Sequence, residues 1–360
     1  MDIKTTLCGI ELKNPVMPAS GPLSGDDEKL IFLDSQKVGA VVTKTISVKA
    51  AVVPRPCIIS EKDTVFNCEL WSEYDYMKWK KEFLPNIKNK LSVPLIVSLG
   101  YSEEELEFLI PQFEEYADIF EISTHYCSTE MTVLEKTVRT IRKNTKKPFL
   151  MKMSPHTPDP VLFAKTAKEN GAGGIVIMNS LGPSLKVDLK NHRVLLGNEK
   201  GQVWASGSIL KSLSLAMIRT VSQSVEDFDI VGTGGISNAG DVLEFMLCGA
   251  KAVQLVSGAL INGKDIFARI ISALEPALTE NGFSSIMDLI NTSIEPFSPE
   301  YLPKYPVIDA KRCTLCGLCE RVCPYFALKV GDSVSIDKNR CFGCGLCQSR
   351  CPVKAITGVW

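Results

Sequence analysis

Residues 149–179, FLMKMSPHTPDPVLFAKTAKENGAGGIVIMN, contain two short apolar runs separated by an amphipathic segment. The runs at 149–152 and 174–178 have the length and composition of buried strands, and residues 160–170 between them follow a helical pattern. A near-continuous apolar strand that leads into a helix and then into a second such strand is typical of a parallel sheet covered on both faces. This stretch therefore predicts a β/α repeat.

The same alternation recurs along roughly the first 300 residues. Candidate strands lie at 16–19, 40–45, 95–99, 119–122, 149–152, 174–178, 230–231 and 252–255. Helical patterns lie at 103–116, 132–143, 160–170, 209–222 and 239–247. Eight strands of this kind predict a closed (β/α)8 TIM barrel, and an open doubly wound sheet is the alternative.

Eight of the 13 cysteines lie near the carboxyl terminus in two copies of one spacing. Each copy reads C-x2-C-x2-C-x3-C-P, the spacing of ferredoxins with two 4Fe-4S clusters, in which the last cysteine of one run ligates the cluster of the other run. The predicted ligands are Cys313, Cys316, Cys319 and Cys351 for the first cluster, and Cys341, Cys344, Cys347 and Cys323 for the second. Zinc is the alternative metal, but eight thiolates exceed the four ligands of a usual zinc site.

The two cysteine runs belong to a repeat. Ile308-Asp309 precedes the first run and recurs 28 residues later as Ile336-Asp337, which indicates a duplicated β-α unit. The segment 294–306, before the repeat, contains four prolines and predicts a domain boundary. We therefore expect a barrel domain at 1–300 and a ferredoxin-like α+β domain with two 4Fe-4S clusters at 301–360.

The composition argues against several classes of function. The 360 residues carry 40 basic and 41 acidic side chains, so neither a nucleic acid nor an anionic membrane is an expected partner. The amino-terminal residues lack the pattern of a signal peptide, and no run of about 18 or more apolar residues occurs. We expect a cytoplasmic protein, in which disulfides are disfavoured and clustered cysteines bind metal.

Polar residues and glycines follow the predicted strands at the end where barrel enzymes carry out their chemistry. Residues 232–235, GTGG, follow the seventh strand and predict a phosphate-binding loop, with a tight turn as the alternative. Lys44 and Lys152 each end a strand. A lysine inside a barrel mouth favours an anionic or electron-rich partner, such as a flavin ring that gains negative charge on reduction. The alternative for each lysine is solvent or a neighbouring acid.

Several segments resemble the class 1 dihydroorotate dehydrogenase family, in the same order along residues 3 to about 270. They are NPVMPASG at 14–21, VVTKTI at 41–46, Phe66-Asn67, MKMSP at 151–155, MNSLGPSLKVDL at 178–189 and VGTGGI at 231–236. With the paired cysteine runs, the domain order is similar to that of the pyrimidine-reducing subunits of bacterial NAD-dependent dihydropyrimidine dehydrogenases.

The resemblance implies FMN in the barrel mouth and a pyrimidine-like ring against it. The residues that it assigns to FMN are Ala19, Ser20, Gly21, Lys44, Thr45, Ser98, Ser123, Lys152, Gly207, Gly234, Gly235, Ser257 and Gly258. The residues that it assigns to the substrate are Lys44, Asn67, Asn179 and Ser180. Amide side chains suit this role because each offers a donor and an acceptor to a lactam edge.

One segment departs from the family pattern. The family reads E-L-N-x-S-C-P-N, with a cysteine that transfers a proton, whereas residues 121–128 of this chain read EISTHYCS. In register, Ser123 replaces the first asparagine and Tyr126 replaces the cysteine. Tyr126 is the first candidate for the catalytic acid, with Cys127 and then His125 as further candidates. An aromatic side chain that only packs over the barrel mouth is the alternative for Tyr126.

Together these features predict an FMN and iron-sulfur oxidoreductase that acts on a CH–CH bond beside a carbonyl in a small cyclic substrate, of the dihydropyrimidine or dihydroorotate type. No G-x-G-x-x-G follows a strand, so we expect an NAD(P)H-dependent flavoprotein subunit or a ferredoxin as the electron partner. The resemblance implies a homodimer or a hetero-oligomer. The alternatives are a reductase of non-pyrimidine enoates or cyclic enones, and an electron-transfer subunit with a non-catalytic barrel.

Overall fold

The computed structural model describes residues 1–123 and 128–360. These residues form two compact units, Met1–Ile294 and Glu295–Trp360. Among the described residues, no helix combines the length and the apolar character that crossing a membrane requires.

Eight parallel strands form the centre of the larger unit. They are β1 (Val16–Pro18), β2 (Val41–Val42), β3 (Leu95–Leu99), β4 (Ile119–Ser123), β5 (Phe149–Met153), β6 (Gly174–Ile177), β7 (Asp229–Thr233) and β8 (Ala252–Leu255). Hydrogen bonds join them in the order β1-β8-β7-β6-β5-β4-β3-β2. Because the strands adjoin in chain order and β1 and β2 are consecutive, the sheet is a nearly closed barrel and not a doubly wound sheet. The predicted (β/α)8 fold is confirmed.

Helices connect the strands. The longer ones are α1 (Asp27–Ser35), α2 (Glu103–Phe113), α3 (Thr132–Asn144), α4 (Pro160–Glu169), α5 (Lys211–Ser222), α6 (Ala239–Leu247) and α7 (Ile266–Glu280). Short helical segments are Pro22–Ser24, Tyr76–Lys78, Trp79–Phe83, Leu84–Ile87, Ser208–Leu210, Ser257–Asn262 and Ile286–Ile290. The start of α4 follows from its sequence: the Asp159 side chain accepts a hydrogen bond from the Leu162 N–H, and Pro160 occupies the first turn, where no N–H partner is needed.

Side chains of the strands alternate between the barrel interior and the layer beneath the helices. In β3, Ile96 belongs to an interior apolar cluster, whereas Val97 packs in the larger cluster that includes the helices. The interior cluster also contains Leu7 and Leu12 of an amino-terminal hairpin. The barrel interior is therefore apolar over part of its length, and polar side chains appear nearer the carboxyl ends of the strands.

A second sheet, called the insert sheet below, consists of Leu181–Ser184, Val203–Gly207, Thr64–Asn67 and Ile58–Glu61, in that antiparallel order. Its strands come from the long connections after β2 and β6. Because both connections leave the carboxyl ends of barrel strands, they meet at the same end of the barrel, where Trp204 pairs with Asn67. A small hairpin of Val187–Asp188 and Arg193–Val194 lies within the second connection.

The smaller unit consists of two antiparallel strand pairs and two short helices. Its strands are β9 (Val307–Ile308), β10 (Leu328–Val330), β11 (Val334–Ile336) and β12 (Ile356–Thr357), and its helices are α8 (Leu318–Arg321) and α9 (Leu346–Arg350). The two halves repeat one another, since the Asp309 N–H donates to the Ala355 carbonyl at 2.8 Å and the Asp337 N–H donates to the Ala327 carbonyl at 2.8 Å.

Candidate active site and cysteine cavities

A cavity of about 610 Å³ lies at the carboxyl ends of the barrel strands, a volume typical of small-molecule sites. The predicted FMN residues that line it are Ala19, Ser20, Gly21, Thr45, Ser123, Lys152, Gly234, Gly235, Ser257 and Gly258. The predicted substrate residues that line it are Asn67, Asn179 and Ser180. These residues meet because the carboxyl ends of all eight parallel strands converge at one end of a barrel.

Three of the predicted FMN residues, Lys44, Ser98 and Gly207, do not line this cavity. Ser98 is fully buried, and its hydroxyl lies 3.0 Å from that of Thr45, which does line the cavity. Gly207 has a φ of +102°, and a Cβ atom there would lie 2.3 Å from the Asp63 carbonyl oxygen. Glycine at 207 therefore permits a close approach of two backbone segments in the insert sheet.

The connection after β4 carries the predicted catalytic acids. Its described part ends at Ser123, which is buried and lines the cavity, and resumes at Ser128. His125, Tyr126 and Cys127 lie outside the described residues, so the choice among them stays a prediction.

Lys44 is buried beside two carboxylates. Its Nζ lies 2.9 Å from each carboxylate oxygen of Glu73 and 3.6 Å from Glu69 Oε1. Burial raises the pKa of Glu69, although the Lys44 charge acts in the opposite direction. Burial is also the largest single effect on the pKa of Glu73 and acts to raise it, but hydrogen bonds from Lys44 and from the backbone, together with the charges of Lys44 and Lys29, outweigh burial, so the pKa lies below its ordinary value. Glu69 lines the cavity, so this end of it presents a carboxyl group rather than a free ammonium.

Lys152 also has a buried acidic partner. Its Nζ lies 3.1 Å from Oε1 of Glu121, whose other oxygen accepts a hydrogen bond of 2.6 Å from Gln254 Nε2. Glu121 and Gln254 are fully buried in the barrel interior. Among the described residues, Gln254 Oε1 is a buried oxygen without a hydrogen-bond partner.

Glycines line the side of the cavity next to β7 and β8. Gly234 and Gly235 have φ values of +111° and +82°, which non-glycine residues rarely adopt. A Cβ atom on Gly258 would lie 2.3 Å from the Ile236 carbonyl oxygen. The loops after β7 and β8 can therefore approach each other only with glycine at these positions, and they leave backbone groups exposed to a ligand.

Several residues that line the cavity were not predicted from the sequence to belong to the site. They are chiefly Glu69, Leu70, Trp71, Tyr101 and Trp204. Trp71 and Tyr101 pack edge to face with ring centroids 5.5 Å apart, and burial raises the pKa of Tyr101 to about 12. His156 also lines the cavity, and its Nε2 lies 2.5 Å from the Gly182 carbonyl oxygen. For Glu69, Leu70 and Trp71, the available signal in the sequence was the segment ELW directly after Cys68.

Two smaller cavities lie within the smaller unit. One is lined by Cys313, Cys316, Cys319 and Cys351, and the other by Cys323, Cys341, Cys344 and Cys347. In each cavity three cysteines come from one run and the fourth comes from the other run. Throughout the part of the chain that the structure describes, no three Cys, His, Asp or Glu side chains converge closely enough to hold a single metal ion.

The two cysteines that cross between the runs have equivalent surroundings. The Ala327 N–H donates to Cys323 Sγ at 3.4 Å, and the Ala355 N–H donates to Cys351 Sγ at 3.2 Å. Hydrogen bonds of this kind to ligand sulfur are among the features that set the potential of an iron-sulfur cluster. Both thiols are therefore oriented by backbone donors within the fold.

Comparisons with known proteins agree on both units. Residues 2–278 match the dihydroorotate dehydrogenase family, and residues 312–355 match a family described as the 4Fe-4S dicluster domain. The chain is 30% identical to the dihydroorotate dehydrogenase B (NAD(+)) catalytic subunit of Geobacter sp. (strain M21), over 80% of this chain and 97% of that protein. It is 29% identical to the protein of the same name from Pyrococcus furiosus, over 81% of this chain and 98% of that protein.

Proposed function

The chain belongs to the dihydroorotate dehydrogenase family, and from this premise we propose that it uses FMN and two 4Fe-4S clusters to oxidise or reduce a CH–CH bond beside a carbonyl in a small cyclic substrate. One observation carries the proposal. A single cavity at the carboxyl ends of the strands combines exposed glycine backbone, the Lys152 ammonium and the amides of Asn67 and Asn179. These are the groups that a phosphate, a flavin ring and a lactam would each need.

The cavity residues fit FMN in two places. Gly234, Gly235 and Gly258 expose backbone without side chains, which suits a phosphate group. Lys152, 7% exposed, offers an ammonium group to the ring at the cavity floor. FMN supplies hydride transfer when it is bound. The residues around it bind and orient it, and the chain Ser20–Thr45–Ser98 of hydroxyls, with links of 3.0 Å, adds polar contacts on one wall.

The small unit fits two 4Fe-4S clusters. Each cluster of this type requires four thiolates, and each of the two cavities is lined by four cysteines. We assign Cys351 to the cluster of the first run and Cys323 to the cluster of the second. The clusters supply electrons singly, so this unit would connect a one-electron source to two-electron chemistry in the barrel.

The substrate ring would contact amides of the insert sheet and of the β6 connection. Asn67 Oδ1 accepts from the Glu69 N–H at 3.2 Å and its Nδ2 donates to the Trp204 carbonyl at 3.3 Å, so the amide is held in one orientation. Asn179 Oδ1 accepts from the Ser180 N–H at 2.9 Å, which fixes a second amide. Each Nδ2 carries two hydrogens and each Oδ1 two lone pairs, so both amides retain capacity for a lactam edge.

The charges around the cavity favour an uncharged ring over a carboxylate-bearing one. Lys44 faces Glu69 and Glu73, so this cluster has no net positive charge whether Glu69 is ionised or protonated. The Lys152 ammonium is paired with Glu121. A substrate carboxylate near Glu69 would therefore find no free counter-ion among the described lining residues, and it would meet a like charge wherever Glu69 is ionised. We propose a substrate of the dihydropyrimidine type rather than the dihydroorotate type.

Replacing Glu69 with glutamine tests this charge preference. We expect the wild-type protein to bind uracil or thymine more tightly than orotate, because orotate adds a carboxylate. Glu69→Gln should tighten orotate binding by about tenfold, or about 1.4 kcal/mol, and change uracil binding by less than about threefold. The measurement is ligand titration of the FMN-loaded protein, followed by the flavin absorbance.

The control is Glu107→Gln, which makes the same charge change at an exposed position of α2. It should leave both affinities unchanged. Orotate that binds the wild-type protein as tightly as uracil does, or an orotate affinity that does not respond to Glu69→Gln, would contradict the assignment of Glu69.

The proton donor is assigned from the sequence alone. Tyr126→Phe removes the phenolic hydrogen, and Cys127→Ser replaces the thiol with a hydroxyl group, which is a far weaker acid. Both changes alter the shape of the side chain little. We expect the tyrosine variant to lower kcat by about 10²-fold or more, as loss of general acid catalysis does, while substrate affinity stays within a few-fold. Steady-state kinetics on both variants and on His125→Gln would decide among the three candidates. Normal turnover in all of them would exclude the whole segment as the acid.

We further propose a separate electron partner. The relatives are named catalytic subunits of NAD(+)-dependent enzymes, and here the partner would be an NAD(P)H-dependent flavoprotein or a ferredoxin that exchanges electrons with the clusters. A homodimer or hetero-oligomer and a cytoplasmic location stay predictions from the sequence. The similarity to pyrimidine-reducing subunits of dihydropyrimidine dehydrogenases is consistent with this arrangement and remains part of the proposal.

Anaerobic purification tests the function as a whole. The protein should contain FMN and about eight irons per chain, and its reduced flavin should be reoxidised by uracil or thymine. Reoxidation by cyclic enones or enoates but by no pyrimidine would favour the non-pyrimidine alternative. FMN without reoxidation by any of these compounds would favour the electron-transfer alternative, and absence of FMN would overturn the enzyme proposal.

A further inference from the structure

Glu121 is a buried acid that contacts neither the cavity nor solvent. It lies in β4 and is fully buried, and Ser123, two residues further along the strand, lines the cavity. Two residues earlier, Ile119 belongs to the interior apolar cluster. Because strand side chains alternate, all three point into the barrel, and Glu121 lies between the apolar layer and the cavity floor.

Burying this carboxylate costs free energy that its contacts need not recover. Burying a charged pair is often no better for stability than packing apolar residues of similar volume, and the interior beside Glu121 is apolar. Both carboxylate oxygens are occupied, at 3.1 Å by Lys152 Nζ and at 2.6 Å by Gln254 Nε2. The second contact turns the Gln254 amide so that its Oε1 is buried without a partner among the described residues. An unsatisfied buried oxygen destabilises a fold, so the stability of the barrel alone does not account for this arrangement.

The arrangement fixes the position of the Lys152 ammonium group and offsets part of its charge. The ammonium group lies at the end of a flexible chain of four methylene groups. Its contact with Glu121 nevertheless holds it at the cavity floor, where Lys152 is only 7% exposed. The carboxylate also offsets part of the ammonium charge. A ring bound above Lys152 would experience a smaller positive field than an unpaired lysine would produce.

We propose that Glu121 is a positioning residue that holds Lys152 against the flavin and sets the flavin midpoint potential. This inference rests on the proposed binding of FMN in the cavity. An unpaired ammonium favours the reduced ring, which carries more negative charge than the oxidised ring. Glu121 reduces that preference and keeps the potential lower.

Glu121→Gln tests the proposal with little change in shape. A glutamine can still accept from Lys152, and its amide nitrogen can donate to Gln254 Oε1 once that amide turns over. The FMN midpoint potential of the anaerobically purified full-length protein should rise by at least about 30 mV, which is a tenfold shift in a two-electron equilibrium. The measurement is dye-equilibrated reduction followed by the flavin absorbance.

Gln254→Met is the matched control, because it removes the amide but keeps both charges. A purely structural role for Glu121 would lower the melting temperature of both variants and leave both potentials at the wild-type value, and that result overturns the proposal. If the glutamine variant loses FMN, Glu121→Asp replaces it as the test, because aspartate is one methylene shorter and moves the carboxylate away from Lys152. The FMN midpoint potential of Glu121→Asp should lie above the wild-type value. A wild-type potential in the aspartate variant also overturns the proposal, whereas a wild-type protein without FMN would instead refute the proposed function.

Discussion

Cys351→Ser is expected to lose the cluster of the first cysteine run and to retain the other, which lowers the iron content from about eight to about four atoms per chain. The reason is that Cys351 lines the same cavity as Cys313, although 38 residues of sequence separate the two. Cys323→Ser should have the reciprocal effect on the cluster near Cys341. Iron analysis and low-temperature EPR of the reduced proteins measure both losses. Electron transfer to the flavin from a protein donor that uses the clusters should fall by orders of magnitude in either variant.

The comparison with variants inside each run makes this test specific. If the runs exchange their fourth ligands, the EPR spectrum of Cys351→Ser should match that of Cys313→Ser. A spectrum that matches Cys341→Ser would instead mean that each run supplies all four ligands of its own cluster. Cys248→Ser, in the larger unit, is the control and should keep the full iron content.

Lys152→Met is expected to lower the free energy of unfolding of the barrel by about 3–5 kcal/mol, because it leaves the Glu121 carboxylate buried without its ammonium partner. The two side chains are 8% and 0% exposed, so solvent cannot replace the lost contact. The double variant Lys152→Met/Glu121→Gln should recover at least half of that loss, since it removes the stranded charge. Urea denaturation followed by circular dichroism, at one fixed excess of FMN, measures the three proteins on the same scale.

Lys136→Met is the matched control. Lys136 pairs with Glu103 at 3.0 Å but its side chain is 73% exposed, so its removal should leave the free energy of unfolding nearly unchanged. Equal losses for Lys152→Met and Lys136→Met would mean that the Glu121 carboxylate is solvated or protonated in the folded protein. A double variant less stable than Lys152→Met would show that Glu121 contributes through packing rather than through its charge.

Local patterns were sufficient to predict the barrel. The apolar run at 149–152 and the helical pattern at 160–170 correspond to Phe149–Met153 and Pro160–Glu169, because the period of buried side chains depends only on neighbours along the chain. The predicted strand at 40–45 was too long, since the ladder covers Val41–Val42. Regular pairing stops after Val42 and returns only as a single bridge between Ile46 and Leu99, and Thr45 in this interval lines the cavity. A composition pattern does not record that interruption.

The insert sheet was not predicted, although it carries Asn67, Trp204 and Ser206 of the cavity wall. Its central pairing joins Thr64–Asn67 to Val203–Gly207, about 140 residues apart in the sequence. The strands are short and partly exposed, so they lack the continuous apolar character of the barrel strands. No local signal in the sequence pairs these two segments.

The sequence by itself determined that this protein has a β/α barrel followed by a ferredoxin-like unit, because apolar periodicity and the spacing of thiols are properties of short segments. It also indicated which strand ends carry polar groups. Only the tertiary structure decided how the charges combine: Lys44 with Glu69 and Glu73, and Lys152 with Glu121 and Gln254. Glu121 and Gln254 are 133 residues apart, and only closure of the barrel brings them within hydrogen-bonding distance. The sequence does not distinguish an unpaired lysine from one that is paired with a carboxylate. The two differ in what they can bind, because burial strengthens the interaction between neighbouring charges.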